Sequence, residues 1–401
     1  MNAAEPGLPL DGVRVIDLSR VLAGPLCGAM LGDMGADVIK IEDIHGGDES
    51  RTWAPQKHGE SASYIVNNRN KRAIALDLKA PEGATILREL TRGADVLIEN
   101  FRTGTMEEFG LGYASLAADN PALIYCAVSA FGRTGPRAQE AGYEALMQAF
   151  SGIMSITGEP DGAPVRCGVS VLDIMTGTLC GFGIVNALLQ RQKTGLGQRV
   201  DGSLFDTALG LLNFQAQNYL LTGTIPQALG SAHPSLVPYK NFRCRDGQWA
   251  FIAAGNDRLW QRLAGALNLA ELANDPRFIN NVARVNNRNE LEAILAQAIA
   301  KFDRDQLLRQ LEQANVPASP VNTVDQVLSD PQMASRPVLK KMAHPALGAI
   351  DVVGMPLGFS RMEPRLRRHS PQHGEQTDEV LVELGYTREQ IDDLRARKIV
   401  R

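Results

Sequence analysis

The chain has 401 residues, 44% of them hydrophobic, and carries 41 Lys plus Arg against 45 Asp plus Glu for a formal net charge of −4. That length points to two domains with sizeable cores, and the mild acidity without long basic runs excludes general nucleic-acid binding. Cys27, Cys126, Cys167, Cys180 and Cys244 are odd in number and never form Cys-x-x-Cys, so they read as thiols of a reducing compartment.

Val13 to Leu18 is a short apolar strand, followed by Gly24-Pro25, a helical stretch to Met34 and a second strand over Asp37 to Ile41. Ala73 to Leu78 (strand), Pro81 to Thr91 (helix), Val96 to Glu99 (strand) and Leu123 to Ser129 (strand) extend the pattern. Alternation of this kind predicts an α/β, Rossmann-like large domain with a mostly parallel sheet. The first turn, Val21 to Gly28, lacks Gly-x-Gly-x-x-Gly spacing and no Walker lysine follows, so a nicotinamide or flavin cofactor is unsupported.

Gly168 to Leu172 is apolar and β-leaning, and Asp173 then heads a small-residue helix that ends at the basic, glycine-bearing stretch Lys193 to Arg199. Asp is a favoured helix N-cap, worth about 1 kcal/mol without any chemistry. Apolar flanks, however, make Asp173 a desolvated carboxylate near a helix start, and such a group can attack an activated acyl carbon. Ser203 to Leu220 is helical, and the Gly/Pro/Ser-rich loop Gly223 to Pro238 marks a domain boundary. A hairpin over Asn241 to Ala254 turns at Asp246-Gly247, and helices follow near Arg258–Leu267, Arg288–Lys301 and Arg304–Ala314. Beyond Val338 come short strands, including Gly348 to Met355, then helical segments at Asp378–Leu384 and Arg388–Arg397 that rejoin the first domain. The division predicted is a large α/β domain over 1–222, a small α+β domain over 223–335 and a returning segment over 336–401.

His369 and His373 are spaced four apart, but Pro371 between them argues against a helix offering both to one metal, so no metal site is expected. The N-terminus carries no basic-then-apolar leader, and no segment reads as a membrane span. The expectation is a cytoplasmic protein without membrane or nucleic-acid partners.

Ala23-Gly-Pro25, Asp37-Val-Ile-Lys-Ile-Glu42, Asn70-Lys-Arg72 with Leu76-Asp-Leu-Lys79, Glu99-Asn-Phe101, Ser129 to Pro136, Asp173 and Lys193 to Asp201 together resemble the family III CoA-transferases, from about residue 8 to the C-terminus. Formyl-CoA and carnitine CoA-transferases belong to that family. The resemblance implies that Asp173 is a nucleophile forming aspartyl anhydride and aspartyl-CoA thioester intermediates. It implies coenzyme contacts at Val21, Leu22, Ala23, Leu76, Lys79, Asn100 and Phe101, an acid near the nucleophile at Glu144, and CoA as a substrate with no tightly bound cofactor. The basic cluster Arg69, Lys71 and Arg72 reads either as a phosphate grip or as a solvated loop.

Asp43, Glu108 and Ala141 stand where relatives place cations, and Gly230 to Ser235 replaces the glycine-rich lid of the formyl-CoA transferases. That segment, with Val237-Pro-Tyr239 and Ala253 to Asp257, looks like the dicarboxylate-exchanging branch and offers His233 as a carboxylate ligand. Alternatives of the same fold are a CoA-ester racemase, disfavoured because Tyr143 stands in place of the required histidine, and a non-catalytic CoA-binding protein. The family fold further implies an interlocked homodimer with connectors around residues 200–230 and 325–345.

Overall fold

A computed structural model describes residues 7–401. Six strands, β1 (Arg14–Asp17), β2 (Asp37–Glu42), β3 (Lys71–Ala75), β4 (Val96–Glu99), β5 (Ile124–Ser129) and β6 (Arg199–Ser203), form one sheet in the order β3-β2-β1-β4-β5-β6. Every pairing in it is parallel. This is the doubly wound arrangement, and its topological switch point, where strand order reverses, opens a crevice beyond the carboxyl ends of β1 and β4. The strands are near-continuous apolar runs because both faces are covered. β6 (Arg-Val-Asp-Gly-Ser) is a half-exposed edge strand without such a run.

Helix α1 (Ala23–Asp33) packs beside α2 (Val171–Thr194) on one face, their seam being Cys27, Leu31, Cys180, Ile184 and Leu188. Gly177 makes the approach possible, since a Cβ there would lie 2.3 Å from the Ala23 carbonyl oxygen. The other face is covered by Ile86, Leu87 and Leu90 and by Val380, Leu381, Ile391 and Leu394 of the returning tail. The tail is tied in by a bridge between Leu76 and Val400 and by a Gln376 side chain accepting from Ala73 N at 2.8 Å.

The chain divides into two compact units, Met1–Ser151 with Cys167–Gln217 and Ser335–Arg401, and Gly152–Arg166 with Asn218–Ala334. The short piece Gly152–Arg166 thus clusters with the smaller unit rather than with the 1–222 domain that the sequence suggested, and Gly230 N donates to Gly158 O within it. The smaller unit has its own core around Trp260, Phe278, Leu291 and Leu307 beside an antiparallel sheet of β7 (Tyr239–Arg243), β8 (Trp249–Ala253) and β9 (Ala318–Pro320).

Three sequence expectations are corrected here. Gly168 to Ser170 is irregular rather than β-leaning, with Val169 exposed and pairing with no strand among the described residues. Arg69, Lys71 and Arg72 are not a solvated loop, and their charges are already committed to carboxylates. Each is buried and ion-paired, Arg69 with Asp33, Lys71 with Asp17 at 2.7 Å, and Arg72 with Asp37, Glu379 and Glu383. Finally, α2 does have the length and hydropathy of a membrane span, although one side of it is built into the core just described.

Candidate active site

The turn after β1 lies at the switch point and is clamped from three sides. Asn100, directly after β4, accepts from Arg20 N at 2.9 Å and donates to Arg20 O at 2.8 Å. Lys40, wholly buried in β2, donates to Ser19 O at 2.8 Å and to Asp48 at 2.9 Å. Asp48 in turn accepts from Val21 N at 3.2 Å. Val21 has φ 74°, a left-handed conformation that is strained for a β-branched residue, so these polar clamps stabilise a backbone that local preference disfavours. Burial opposes ionisation of Asp48, but Lys40 and the Ser50 N–H and hydroxyl outweigh it and hold the carboxyl well below the ordinary carboxylate range. Beneath the turn, Asp17 takes the Lys71 ammonium on one oxygen and Ser19 N at 3.0 Å on the other.

Around this turn is a cavity of ≈ 200 Å³ whose lining includes Arg20, Val21, Asn100, Tyr143, Glu144 and Asp173. Leu22 and Ala23 line it too. Asp173 is the third residue of α2, with Ser170 at the N-cap position, so a capping role is excluded by place. The first-turn N–H of Leu172 is instead met by Glu144 at 3.3 Å, and Glu144 is fixed by Gln148 at 2.5 Å. The Asp173 carboxylate has no hydrogen-bond or ion-pair partner among the described residues. Burial, with the Glu144 charge adding to it, pushes its pKa up to about 7. The sequence led us to expect competition between desolvation and the helix end, and desolvation wins.

A carboxylate in that condition is ionised on roughly every second molecule at neutral pH and is poorly hydrated, so it is a better nucleophile than a solvated one. If Asp173 must be ionised to react, activity rises with pH and levels off above about 7. Glu144→Gln removes the like charge but keeps an acceptor for Leu172 N, so the acid limb of the kcat/KM profile should move to lower pH. An unmoved limb would show that Glu144 does not act on the reacting group.

The remaining residues singled out from sequence are placed as follows. Phe101 lines an adjoining cavity of ≈ 120 Å³ with Asn100, Arg102 and Ala141, and the Arg20 guanidinium lies 5.2 Å from its ring centroid. Its N–H is held at 2.8 Å by Glu99, whose pKa burial raises to about 7 against the opposing charge of Arg133. Leu76 is buried at the end of β3, and Lys79 is exposed in the turn beyond it; neither lines the Asp173 cavity. His233 belongs to the smaller unit, where its Nδ1 accepts from Ser235 N at 3.0 Å and its ring meets Tyr239 edge-on. Sequence reasoning missed Arg20, whose signal was its place directly before Val21; it quoted Lys40 only within the stretch Asp37 to Glu42 without a role, and Asp48 gave no signal. Among the described residues, no group of three or more His, Cys, Asp or Glu is arranged to hold a metal ion.

The family description CoA-transferase family III matches this sequence over residues 10–377. A succinate–glutarate CoA-transferase of Agrobacterium fabrum is 43% identical over 94% of this chain and 96% of its own. A succinyl-CoA–D-citramalate CoA-transferase of Chloroflexus aurantiacus is 37% identical over the whole of both chains. Among solved structures, a CAIB/BAIF family protein from Brucella suis superposes with a TM-score of 0.85 at 42% identity, covering 94% of this chain and 100% of that one. With a family match over nearly the whole chain and relatives of this identity covering it almost end to end, the chain belongs to CoA-transferase family III and is a CoA-transferase.

Proposed function

We propose that this enzyme moves CoA from an acyl-CoA such as succinyl-CoA to a small dicarboxylic acid, with Asp173 as covalent carrier. The observation that carries the reading is the unpartnered Asp173 carboxylate beside the strained Val21 turn, held up to about 7 by burial and Glu144. Its attack on the thioester carbonyl breaks the C–S bond, releases CoA thiolate and leaves an acyl-aspartyl anhydride. The thiolate then attacks the aspartyl carbonyl, freeing the donor acid and forming an aspartyl-CoA thioester. The acceptor carboxylate displaces the thiolate to give a second anhydride, and thiolate attack on the acceptor's carbonyl yields the new CoA ester and restores Asp173. Each step exchanges one carboxylate or thiolate for another, so no net proton or redox equivalent is needed. Stabilisation of the developing oxyanion would fall to backbone N–H groups near the start of α2 or on the glycine-bearing loop after β5.

Val21, Leu22, Ala23, Asn100 and Phe101 would line the coenzyme path, with Leu76 and Lys79 beyond the end of β3. The acids named for the relatives, glutarate and D-citramalate above and L-malate and oxalate in others, all carry two carboxylates, which supports a dicarboxylic acceptor. His233 is kept as a candidate carboxylate ligand. We expect a cytoplasmic enzyme. Assay of succinyl-CoA against C3 to C6 acids tests the reading: new dicarboxyl-CoA esters are expected. Hydrolysis alone, or α-proton exchange with deuterated water without transfer, would overturn it.

A homodimer is part of the same proposal. One face of α2 leaves Leu179 48%, Phe182 69% and Leu189 53% exposed, an apolar row that a second copy of the chain would cover. Sedimentation at micromolar concentration should give twice the chain mass; a single-chain mass would contradict the dimer.

A further inference from the structure

We infer that Arg20 is the specificity-determining residue for the acid substrate, receiving the carboxylate that does not react at Asp173. The inference rests on the CoA-transfer reading above and goes beyond it by naming the group that reads the second charge. The cavity around Asp173 is lined by three acids, Glu49, Glu144 and Asp173, and by a single cation, Arg20. An incoming dianion is repelled at every charged wall but one. Charge pairs at contact distance beside a partly buried wall are far less screened than in bulk water, so the one cation decides where the second carboxylate rests.

Arg20 is built for that task in three respects. Its guanidinium has no ion-pair partner among the described residues, unlike Arg51, Arg69, Arg72 and Arg133 of the same unit, which are all committed to carboxylates. Its backbone is immobilised, with both N and O taken by Asn100 and the flanking Ser19 and Val21 held by Lys40 and Asp48. The planar head lies against the Phe101 ring at 5.2 Å, which limits its freedom while leaving its donors open to a bidentate carboxylate. A fixed root with a long side chain also suits acids of different length that share only the second carboxylate.

The same guanidinium chemistry would fit a coenzyme phosphate, and the test separates the two sources. Wild type, Arg20→Gln and Arg20→Lys are compared for KM and kcat with succinyl-CoA and either a dicarboxylic acceptor or the monocarboxylic acid of equal chain length, and for Kd of free CoA. The expected result for Arg20→Gln is a KM for the dicarboxylate raised about 10- to 100-fold, from loss of a charged hydrogen-bonded contact, with kcat and CoA Kd within about threefold and the monocarboxylate KM unchanged. Arg20→Lys should recover part of the loss. Equal loss for both acids, a CoA Kd weakened in parallel, or no loss at all would each overturn the assignment, while preserved CoA affinity in the variant shows that it is folded. Wild-type enzyme that transfers CoA to no acid would instead sink the transfer reading and this one with it.

Discussion

Asp173→Ala should lower the rate of CoA transfer by about 10⁴-fold or more while CoA affinity changes by less than about threefold. The large kinetic effect follows from the role: every step of the proposed sequence makes or breaks a bond to that carboxyl group, and of the other acids lining the cavity Glu144 is already held by Leu172 N and Gln148. The small binding effect follows from position. The side chain has no hydrogen-bond or ion-pair partner among the described residues, and the turn proposed to hold the coenzyme is clamped by Asn100, Lys40 and Asp48 instead. Loss of an ionised, poorly hydrated group should even stabilise the fold above neutral pH. A native pKa of about 7 against 3.8 for a solvated aspartate means that stability is given up as pH rises from about 4 through about 7. The variant should lack that decline when unfolding is followed by denaturant titration across the range. A variant that still transfers at a tenth of the wild-type rate would exclude Asp173 as the carrier.

The largest loss of stability is expected from Lys71→Met. Lys71 and Asp17 are both wholly enclosed and meet at 2.7 Å, and Lys71 also donates to Pro25 O and Asn68. Burial pulls the lysine pKa down to about 8 against the pull of Asp17, so the ammonium is present at neutral pH but with little to spare. Removing it strands a carboxylate in the core, at a cost of about 3–5 kcal/mol. The second variant Lys71→Met/Asp17→Asn should recover most of that, because asparagine is neutral and still accepts from Ser19 N. Urea titration of the three proteins measures this. A single-variant loss below about 1 kcal/mol, or no recovery in the double, would contradict the account. Since Asp17 also holds Ser19, the single variant should bind CoA less tightly, linking core charge to the site turn.

The sheet was legible because five of its strands are apolar runs separated by helical periodicity, and the parallel order follows from that alternation. β6 was not, since Arg-Val-Asp-Gly-Ser at a half-exposed edge has neither an apolar run nor clean alternation. Asp173 stood out as a charge heading a small-residue helix. Its offset from the cap was not visible, because the preceding apolar residues that read as a strand are an irregular approach to the helix. The buried pairs were beyond reach for a plainer reason: Arg72 meets Glu379 and Glu383 more than 300 positions away, and local composition carries no sign of that. Lys40 illustrates the same point, being one charge in an apolar strand whose partner Asp48 becomes evident only once the chain has turned back.

The central claim is that Asp173 becomes covalently acylated during transfer. Wild-type enzyme incubated with succinyl-CoA and quenched with hydroxylamine should yield, on peptide mass spectrometry, a hydroxamate at Asp173 that is absent without acyl-CoA and absent from Asp173→Ala. Formation of acceptor-CoA at the normal rate with Asp173 never modified, or with the hydroxamate found on another residue, would contradict it.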